Sequence, residues 1–170
     1  KDIRELDLLA VHALKLLILT ATRTKEVIQS KFSEFDLDKK VWTIPGHKMK
    51  AGVEHKIPLS NEAIQIINFM RQKHNHEYVF HNPATGKHIS NGAMLVFTKK
   101  HYTKTKITVH GFRATFRTWA EEAGQYQDHA IEFCLSHSLP TKVEKAYLRT
   151  NLIEMRKKIM KDWEEFVIKK

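Results

Sequence analysis

The chain has 170 residues, of which 42% are hydrophobic and 28% are charged, a balance typical of a folded globular domain and not of a disordered segment. A single cysteine excludes an internal disulfide framework and a cysteine-rich zinc site, and no apolar run reaches the roughly 18 residues of a transmembrane helix. The 29 lysines and arginines outnumber the 19 acidic residues and give a net charge of +10, which indicates a polyanionic partner.

The first third of the chain combines helical and β patterns. Apolar residues spaced three or four apart over residues 5–19 predict a helix with one buried stripe, and a second short helix is predicted over about 24–30. Residues 32–37 and 41–44 have the β-rich composition of a hairpin, joined by Asp38-Lys39-Lys40, and residues 54–59 predict a third strand. Pro45-Gly46 ends the second arm of the hairpin.

The rest of the chain is predicted to be helical. Ser60 is the expected N-cap of a helix with an apolar stripe, residues 82–86 form a turn or loop, and Ser90 caps the next helix. Further helices are predicted over about 110–122, closed by Gly124, and over 128–135, 141–148 and 152–167. With no linker and no internal repeat, the sequence predicts one domain, mainly α with a small three-stranded antiparallel β-sheet.

Four segments carry residues suited to phosphate chemistry. Arg23 follows the end of the first helix, a basic loop containing Lys48 and Lys50 lies between two predicted strands, and residues 110–113 read His-Gly-Phe-Arg. Positions i and i+3 share a helix face, so the two polar side chains of this third segment can address one ligand. In the fourth segment Leu135-Ser136-His137 is followed, ten residues after the histidine, by Tyr147.

The order of these segments resembles the catalytic domain of the tyrosine recombinases, the lambda-integrase family. That family's pattern is an Arg, a β-hairpin Lys, His-x-x-Arg, a His or Trp, and a nucleophilic Tyr. The sequences around Lys50 and His110 look closest to prophage and genomic-island integrases of the satellite-phage type, and the resemblance runs from about residue 14 to 163. It implies the fold of that catalytic domain. Because the chain begins at Lys1 and not at Met, we expect residues 1–170 to be the C-terminal fragment of a longer integrase without its N-terminal DNA-binding domains.

The resemblance assigns a role to each motif residue. The tyrosine would attack a DNA phosphodiester and form a 3′-phosphotyrosine, two arginines would clamp the phosphate oxygens, and a lysine would protonate the leaving 5′-oxygen. Glu26 is expected to orient an arginine. Lys48 competes with the preferred lysine, and Tyr126 and Tyr102 are the next candidates for the nucleophile. No metal and no other cofactor is implied. The expected catalytic residues are Arg23, Lys50, His110, Arg113, His137 and Tyr147.

Basic residues concentrate in one part of the chain. No acidic residue occurs between Glu77 and Glu121, and this window predicts a nucleic-acid face, with a solvated basic surface as the alternative. The basic residues do not lie on one amphipathic helix, which argues against membrane binding. The residues expected to bind DNA are Lys48, Lys99, Lys100, Lys104, Lys106 and Arg117.

The resemblance also implies partners, and it leaves alternative functions open. The expected partners are double-stranded DNA attachment sites, further protomers forming a tetramer on DNA, and accessory DNA-bending or directionality proteins, in the bacterial cytoplasm. The C-terminal helix either docks on a neighbouring protomer or folds onto its own domain. A type IB topoisomerase and a non-catalytic DNA-binding module of the same fold are alternatives. A metal-dependent nuclease is disfavoured because only Glu26 and Glu54 lie near the motifs.

Overall fold

The computed structural model describes residues 2–104, 107–136 and 149–169. The helices of these residues are α1 (Asp2–Thr20), α2 (Thr24–Ile28), α3 (Asn61–Lys73), α4 (Ala93–His101), α5 (Gly111–Glu122), α6 (Asp128–Cys134) and α7 (Arg149–Ile168). The strands are β1 (Phe35–Asp36), β2 (Val41–Ile44), β3 (His55–Pro58), β4 (His81–Asn82) and β5 (Lys87–His88). In this part of the chain no helix has both the length and the apolar character needed to cross a membrane.

Helix α1 is the central element of the fold. Its buried residues include Leu9, Ala13, Leu16 and Leu17, which recur at helical spacing and pack against α3, α4 and α7. The helix ends at Thr20 because Ala21 adopts a positive φ of 50°, which turns the chain out of the helical path. This turn carries the chain directly to Arg23, so the central helix fixes the position of the first motif.

Strands β1, β2 and β3 form an antiparallel sheet in that order. Side chains alternate across it: Trp42 and Ile44 on β2 are fully buried, while Val41 and Thr43 are partly exposed. Trp42 stacks on Phe35, with ring centroids 5.0 Å apart, and its indole Nε1 donates to Glu34 Oε2 at 3.0 Å. The sheet is thereby anchored to the core and presents the β2–β3 loop, which carries the basic motif.

Two hydrophobic clusters make up the interior. The larger one joins α1, the three-stranded sheet, α3 and α4, and the smaller one joins α5, α6 and α7. Ile18 borders both clusters, and its carbonyl accepts a 2.7 Å hydrogen bond from Trp163 Nε1 of α7. Ile159 and Met160 are buried in the smaller cluster as well, while Phe166 is 37% exposed. Most of the apolar side of the C-terminal helix therefore packs on its own domain.

The mainly α fold with a three-stranded sheet is confirmed, and local details differ. Residues 32–34 form a 3₁₀ turn where a strand arm was predicted, because Phe32 N donates to Glu77 O at 3.0 Å in another segment. The loop over 82–86 is the turn of an additional β4–β5 hairpin, whose two-residue strands are too short to show a period in the sequence. The helix expected after Ser90 begins at Ala93, and the helix predicted over 141–148 lies outside the described residues.

Candidate active site

Arg23 is held at the start of α2 by a carboxylate one turn further on. Glu26 is 4% exposed, and its Oε2 accepts from the Arg23 backbone N–H at 2.8 Å. Its Oε1 accepts from Arg23 Nη1 at 2.9 Å. A carboxylate at this position satisfies a free amide of the helix N-terminus and is favoured by the helix dipole. Both oxygens of Glu26 thus orient Arg23, whose side chain keeps 33% exposure and can meet a ligand.

Arg113 reaches the same place from α5. The residue is 5% exposed, and its guanidinium donates to two backbone carbonyls, that of Ala21 at the end of α1 and that of Leu135 at the end of α6, the latter at 2.7 Å. Helix carboxyl ends carry free carbonyls and partial negative charge, so a guanidinium suits both. The two bonds use two of the five N–H donors of an arginine, and three are left for a ligand.

Arg23, Glu26 and Arg113 lie close enough together for their charges to interact. Burial and, to a smaller extent, the positive charge of nearby Arg23 lower the pKa of Arg113 to about 10, although Glu26 opposes both effects. Arg113 remains protonated at neutral pH, so the site holds two guanidinium groups and one carboxylate. We call Arg23, Glu26 and Arg113 the arginine pocket. Its excess positive charge suits an anion with several oxygens, such as a phosphate.

His110 lies one turn from Arg113 at the start of α5. It is exposed, and its backbone carbonyl accepts from Arg113 N at 3.2 Å. Thr108 Oγ1 accepts from Gly111 N at 3.1 Å and supports the start of the helix. The helix predicted at this motif is confirmed, and at its start His110 is exposed whereas Arg113 is buried.

The two lysines of the β2–β3 loop have different environments. Lys48 pairs with Glu34, whose side chain is 6% exposed, and also donates to Gln29 O at 2.6 Å. Lys50 is exposed and forms no side-chain hydrogen bond or ion pair with the described residues. Gly52, with φ +67°, closes the turn behind it. The ammonium of Lys48 is thus committed to the fold, whereas that of Lys50 is available to a ligand.

Two buried cationic or titratable side chains near the arginine pocket were not among the predicted site residues. His55 on β3 is 6% exposed, and Arg156 on α7 is 2% exposed. Arg156 Nη2 lies 3.5 Å from His55 Nε2, and its guanidinium lies over the Phe133 ring, 5.1 Å from the centroid. Burial lowers the pKa of His55 to about 3, with the charges of Arg156, Arg23 and Arg113 acting in the same direction. The sequence contains one signal that Arg156 is buried. Position 156 lies at helical spacing from the apolar residues Leu152, Ile159 and Trp163, on the buried stripe of α7.

The predicted DNA-binding residues do not share one environment. Lys99 and Lys104 are exposed. Lys100 pairs with Asp7 at 2.5 Å, and Arg117 pairs with Glu121 at 2.8 Å and with Glu132 at 2.9 Å. These pairs are exposed and weak, so they compete little with a polyanion. Three further site residues, Lys106, His137 and Tyr147, lie outside the described residues.

Comparison with known proteins places the chain in a family. The sequence profile of the phage integrase family matches residues 3–152. The integrase of enterobacteria phage P4 is 33% identical over 172 residues, which cover 91% of this chain and 39% of that protein. The chain thus spans about two fifths of the length of this curated relative.

Solved structures show the same fold. The integrase from mycobacterium phage Brujita superposes with a TM-score of 0.69 and 21% identity, over 94% of this chain and 54% of that one. The Tn1549 transposon integrase, in complex with a circular intermediate DNA, superposes with a TM-score of 0.60 and 15% identity, over 83% of this chain and 58% of that one. The profile match over most of the sequence shows that the chain belongs to the phage integrase family.

Proposed function

We propose that this chain is the catalytic domain of a longer tyrosine site-specific recombinase, which cleaves and religates DNA at attachment sites without a metal ion. The observation that carries the proposal is the arginine pocket, where two guanidinium groups are held by one carboxylate and two helix ends. The pocket has one more positive charge than negative charge, and a DNA phosphodiester would supply the anion that balances it. The DNA complex of the Tn1549 transposon integrase, a structural neighbour, supports the same class of substrate.

Charge stabilisation in this reaction is assigned to Arg23 and Arg113. The attacked phosphorus gains negative charge on its non-bridging oxygens, and preorganised guanidinium groups stabilise that charge without reorganising. Arg113 is fixed by its two carbonyl partners, and Arg23 by Glu26. His110 assists proton transfer or holds the phosphate, and His137 hydrogen-bonds the phosphate. The two arginines and Lys50 take the place that a divalent cation has in metal-dependent nucleases.

The nucleophile is assigned to Tyr147. Its phenolic oxygen gives up its proton, with His110 assisting the transfer, and bonds to phosphorus as the bond from phosphorus to the 5′-oxygen breaks. The products are a 3′-phosphotyrosine and, once the leaving oxygen is protonated, a free 5′-hydroxyl. Because the new phosphotyrosine ester stores the energy of the broken phosphodiester bond, attack by a 5′-hydroxyl reverses the step without ATP. The environment of Tyr126 supports this assignment, since its hydroxyl donates to Asp162 at 2.7 Å and burial together with that carboxylate raises its pKa. A phenol bound in this way is a poor nucleophile.

The general acid is assigned to Lys50. The leaving 5′-oxygen needs a proton as its bond breaks, and an ammonium at the tip of the β2–β3 loop can supply it. Lys48 is disfavoured for this step because its ammonium lies between Glu34 and the Gln29 carbonyl. The loop is well defined at its base, where Met49 N donates to Gly46 O at 2.9 Å and Gly52 N donates to Met49 O at 3.0 Å.

The proposal includes the partners and place of the reaction. The exposed Lys99 and Lys104, with Lys100, Lys106 and Arg117, contact the DNA backbone. Recombination takes place in the bacterial cytoplasm on double-stranded attachment sites, within a tetramer of protomers and with accessory DNA-bending or directionality proteins. The exposed end of α7, which includes Phe166 and Ile168, is the candidate contact between protomers.

Covalent trapping tests the proposed function. Full-length integrase is mixed with a nicked suicide substrate carrying its attachment site, in EDTA, and protein–DNA adducts are resolved on a denaturing gel. We expect an adduct with the wild type and none with Tyr147→Phe. An adduct that requires a divalent metal or survives Tyr147→Phe refutes the mechanism. Binding without any adduct favours a non-catalytic module, and supercoil relaxation without two-site strand exchange favours a topoisomerase.

A further inference from the structure

A second buried guanidinium, that of Arg156, lies next to the arginine pocket and has no carboxylate partner among the described residues. Arg156 is 2% exposed, and its Nε has no hydrogen-bond partner among the described residues. Its neighbours are the Phe133 ring, the Cys134 thiol and His55. No acidic side chain of the described residues pairs with it. Burying an uncompensated cation costs several kcal/mol, so its presence at this position needs a reason other than the stability of the fold.

The neighbours of Arg156 do not neutralise it. Burial raises the pKa of the Cys134 thiol, which therefore stays uncharged. His55 is likewise kept neutral, since burial and three arginines hold its pKa far below neutral. Its Nε2 faces Arg156 as an acceptor, and a neutral imidazole offers a lone pair but no charge. A guanidinium stays protonated even when burial lowers its pKa, so the positive charge of Arg156 persists in the interior.

The end of α6 connects Arg156 to the arginine pocket. Three consecutive residues contact the two buried arginines: Phe133 and Cys134 contact Arg156, and the Leu135 carbonyl accepts from Arg113 at 2.7 Å. The charges of Arg156, Arg23 and Arg113 all lower the pKa of His55, so His55 lies close to all three. The partial negative charge at the end of α6 offsets only part of this positive charge. The charges that act on His55 and Arg113 are therefore those of three guanidinium groups and, with the opposite sign, of the Glu26 carboxylate.

We propose that Arg156, from its position beside His55 and the end of α6, adds its positive charge to that of the arginine pocket without touching the phosphate. This inference rests on the proposed function, since the anion that balances the three guanidinium groups is the scissile phosphate. In a water-poor interior, a charge beyond contact distance still stabilises the transition state because little solvent screens it. Arg156 thus acts on the reaction only through its charge and makes no contact with the reacting atoms. Its helix, α7, follows the proposed nucleophile Tyr147 in the sequence.

The test compares charge removal at Arg156 on two substrates. Full-length integrase carrying Arg156→Met or Arg156→Gln is assayed for single-turnover cleavage at saturating DNA, on a normal suicide substrate and on one with a methylphosphonate at the scissile position. The methyl group removes the negative charge of the phosphate. Lys157→Met is the matched control, because it removes an exposed charge from the next position of the same helix. Thermal unfolding and DNA affinity are measured for every variant.

We expect both Arg156 variants to cleave the normal substrate about tenfold more slowly, a smaller effect than loss of a contacting donor. On the methylphosphonate substrate the cleavage rate should fall by less than about threefold, since the transition state at the scissile position carries less negative charge. Arg156→Met should melt at or above the wild-type temperature because it removes an unpaired buried charge. Lys157→Met should cleave at the wild-type rate.

Three results overturn the inference while leaving the proposed function intact, provided that the wild type forms the Tyr147 adduct. One is a wild-type cleavage rate in both Arg156 variants. Another is an equal loss on both substrates, which would mean that Arg156 only maintains packing. The third is a lower melting temperature for Arg156→Met with a loss of cleavage that Arg156→Gln does not show. Absence of a wild-type adduct refutes the proposed function instead.

Discussion

The buried imidazole of His55 makes acid stability a quantitative test of the structure. Its pKa is lowered to about 3 by burial and by Arg156, Arg23 and Arg113, against an ordinary value of 6.5. The unfolded chain therefore takes up a proton at this residue at a higher pH than the folded chain. His55 contributes stability above pH 6.5, and this contribution is lost as the pH falls from 6.5 toward 3.

The magnitude follows from proton linkage. Between pH 7.5 and pH 5, the proton uptake of the unfolded state at His55 lowers the free energy of unfolding by about 2 kcal/mol. This value depends little on the folded pKa, because a group with a pKa of about 3 is almost wholly unprotonated at pH 5. Since every other titrating group also contributes, the quantity to compare is the difference between variants.

The assay is urea unfolding followed by circular dichroism at pH 7.5 and pH 5, for the wild type, His55→Gln and His47→Gln. His55→Gln should be less stable at pH 7.5 but should lose about 2 kcal/mol less than the wild type on acidification. His47 is exposed on the β2–β3 loop, so His47→Gln should follow the wild type. Equal losses in the wild type and His55→Gln would show that His55 is accessible to protons in the folded state and would refute this reasoning.

The remaining predictions concern the β2–β3 loop and DNA binding. Lys50→Ala should slow cleavage by about 10²–10⁴-fold, and a 5′-bridging sulfur substrate should restore the rate because a thiolate leaves without protonation; unrestored cleavage would move the general acid elsewhere. Lys48→Ala should instead lower the free energy of unfolding in urea by about 3 kcal/mol, since it leaves the buried Glu34 carboxylate without its cation and with only the Trp42 indole as a donor, and an unchanged stability would contradict this. Gly46→Ala should slow cleavage because its Cβ would lie 2.5 Å from a loop carbonyl, whereas Gly92→Ala, which meets nothing within 4 Å, should match the wild type in the same assay. DNA affinity, measured by fluorescence anisotropy, should fall steeply with salt as phosphate contacts release counterions, and a flat response would contradict the basic DNA face.

The fold was largely predictable because its main signals are local. Helical periodicity located α1, α3 and α5 to within a few residues, and turn residues delimited the β1–β2–β3 sheet. The errors fall where distant contacts override local preference. The 3₁₀ turn at 32–34 is paired with residue 77, and the β4–β5 hairpin has strands of only two residues. Short elements of this kind leave no period to detect.

The sequence by itself determined which residues are candidates and in what order they occur, and that order is what identifies the family pattern. The tertiary structure decided their environments. Arg113 is fixed by backbone carbonyls that lie 92 and 22 residues away in the sequence. Only the folded chain shows that Lys48 is paired with Glu34, whereas Lys50 is exposed and can meet a ligand. The proximity of Arg156 to His55, 101 residues apart, has the same origin. Spacing along a chain encodes helix faces and strand alternation, whereas burial, charge compensation and pKa shifts arise from groups that only packing brings together.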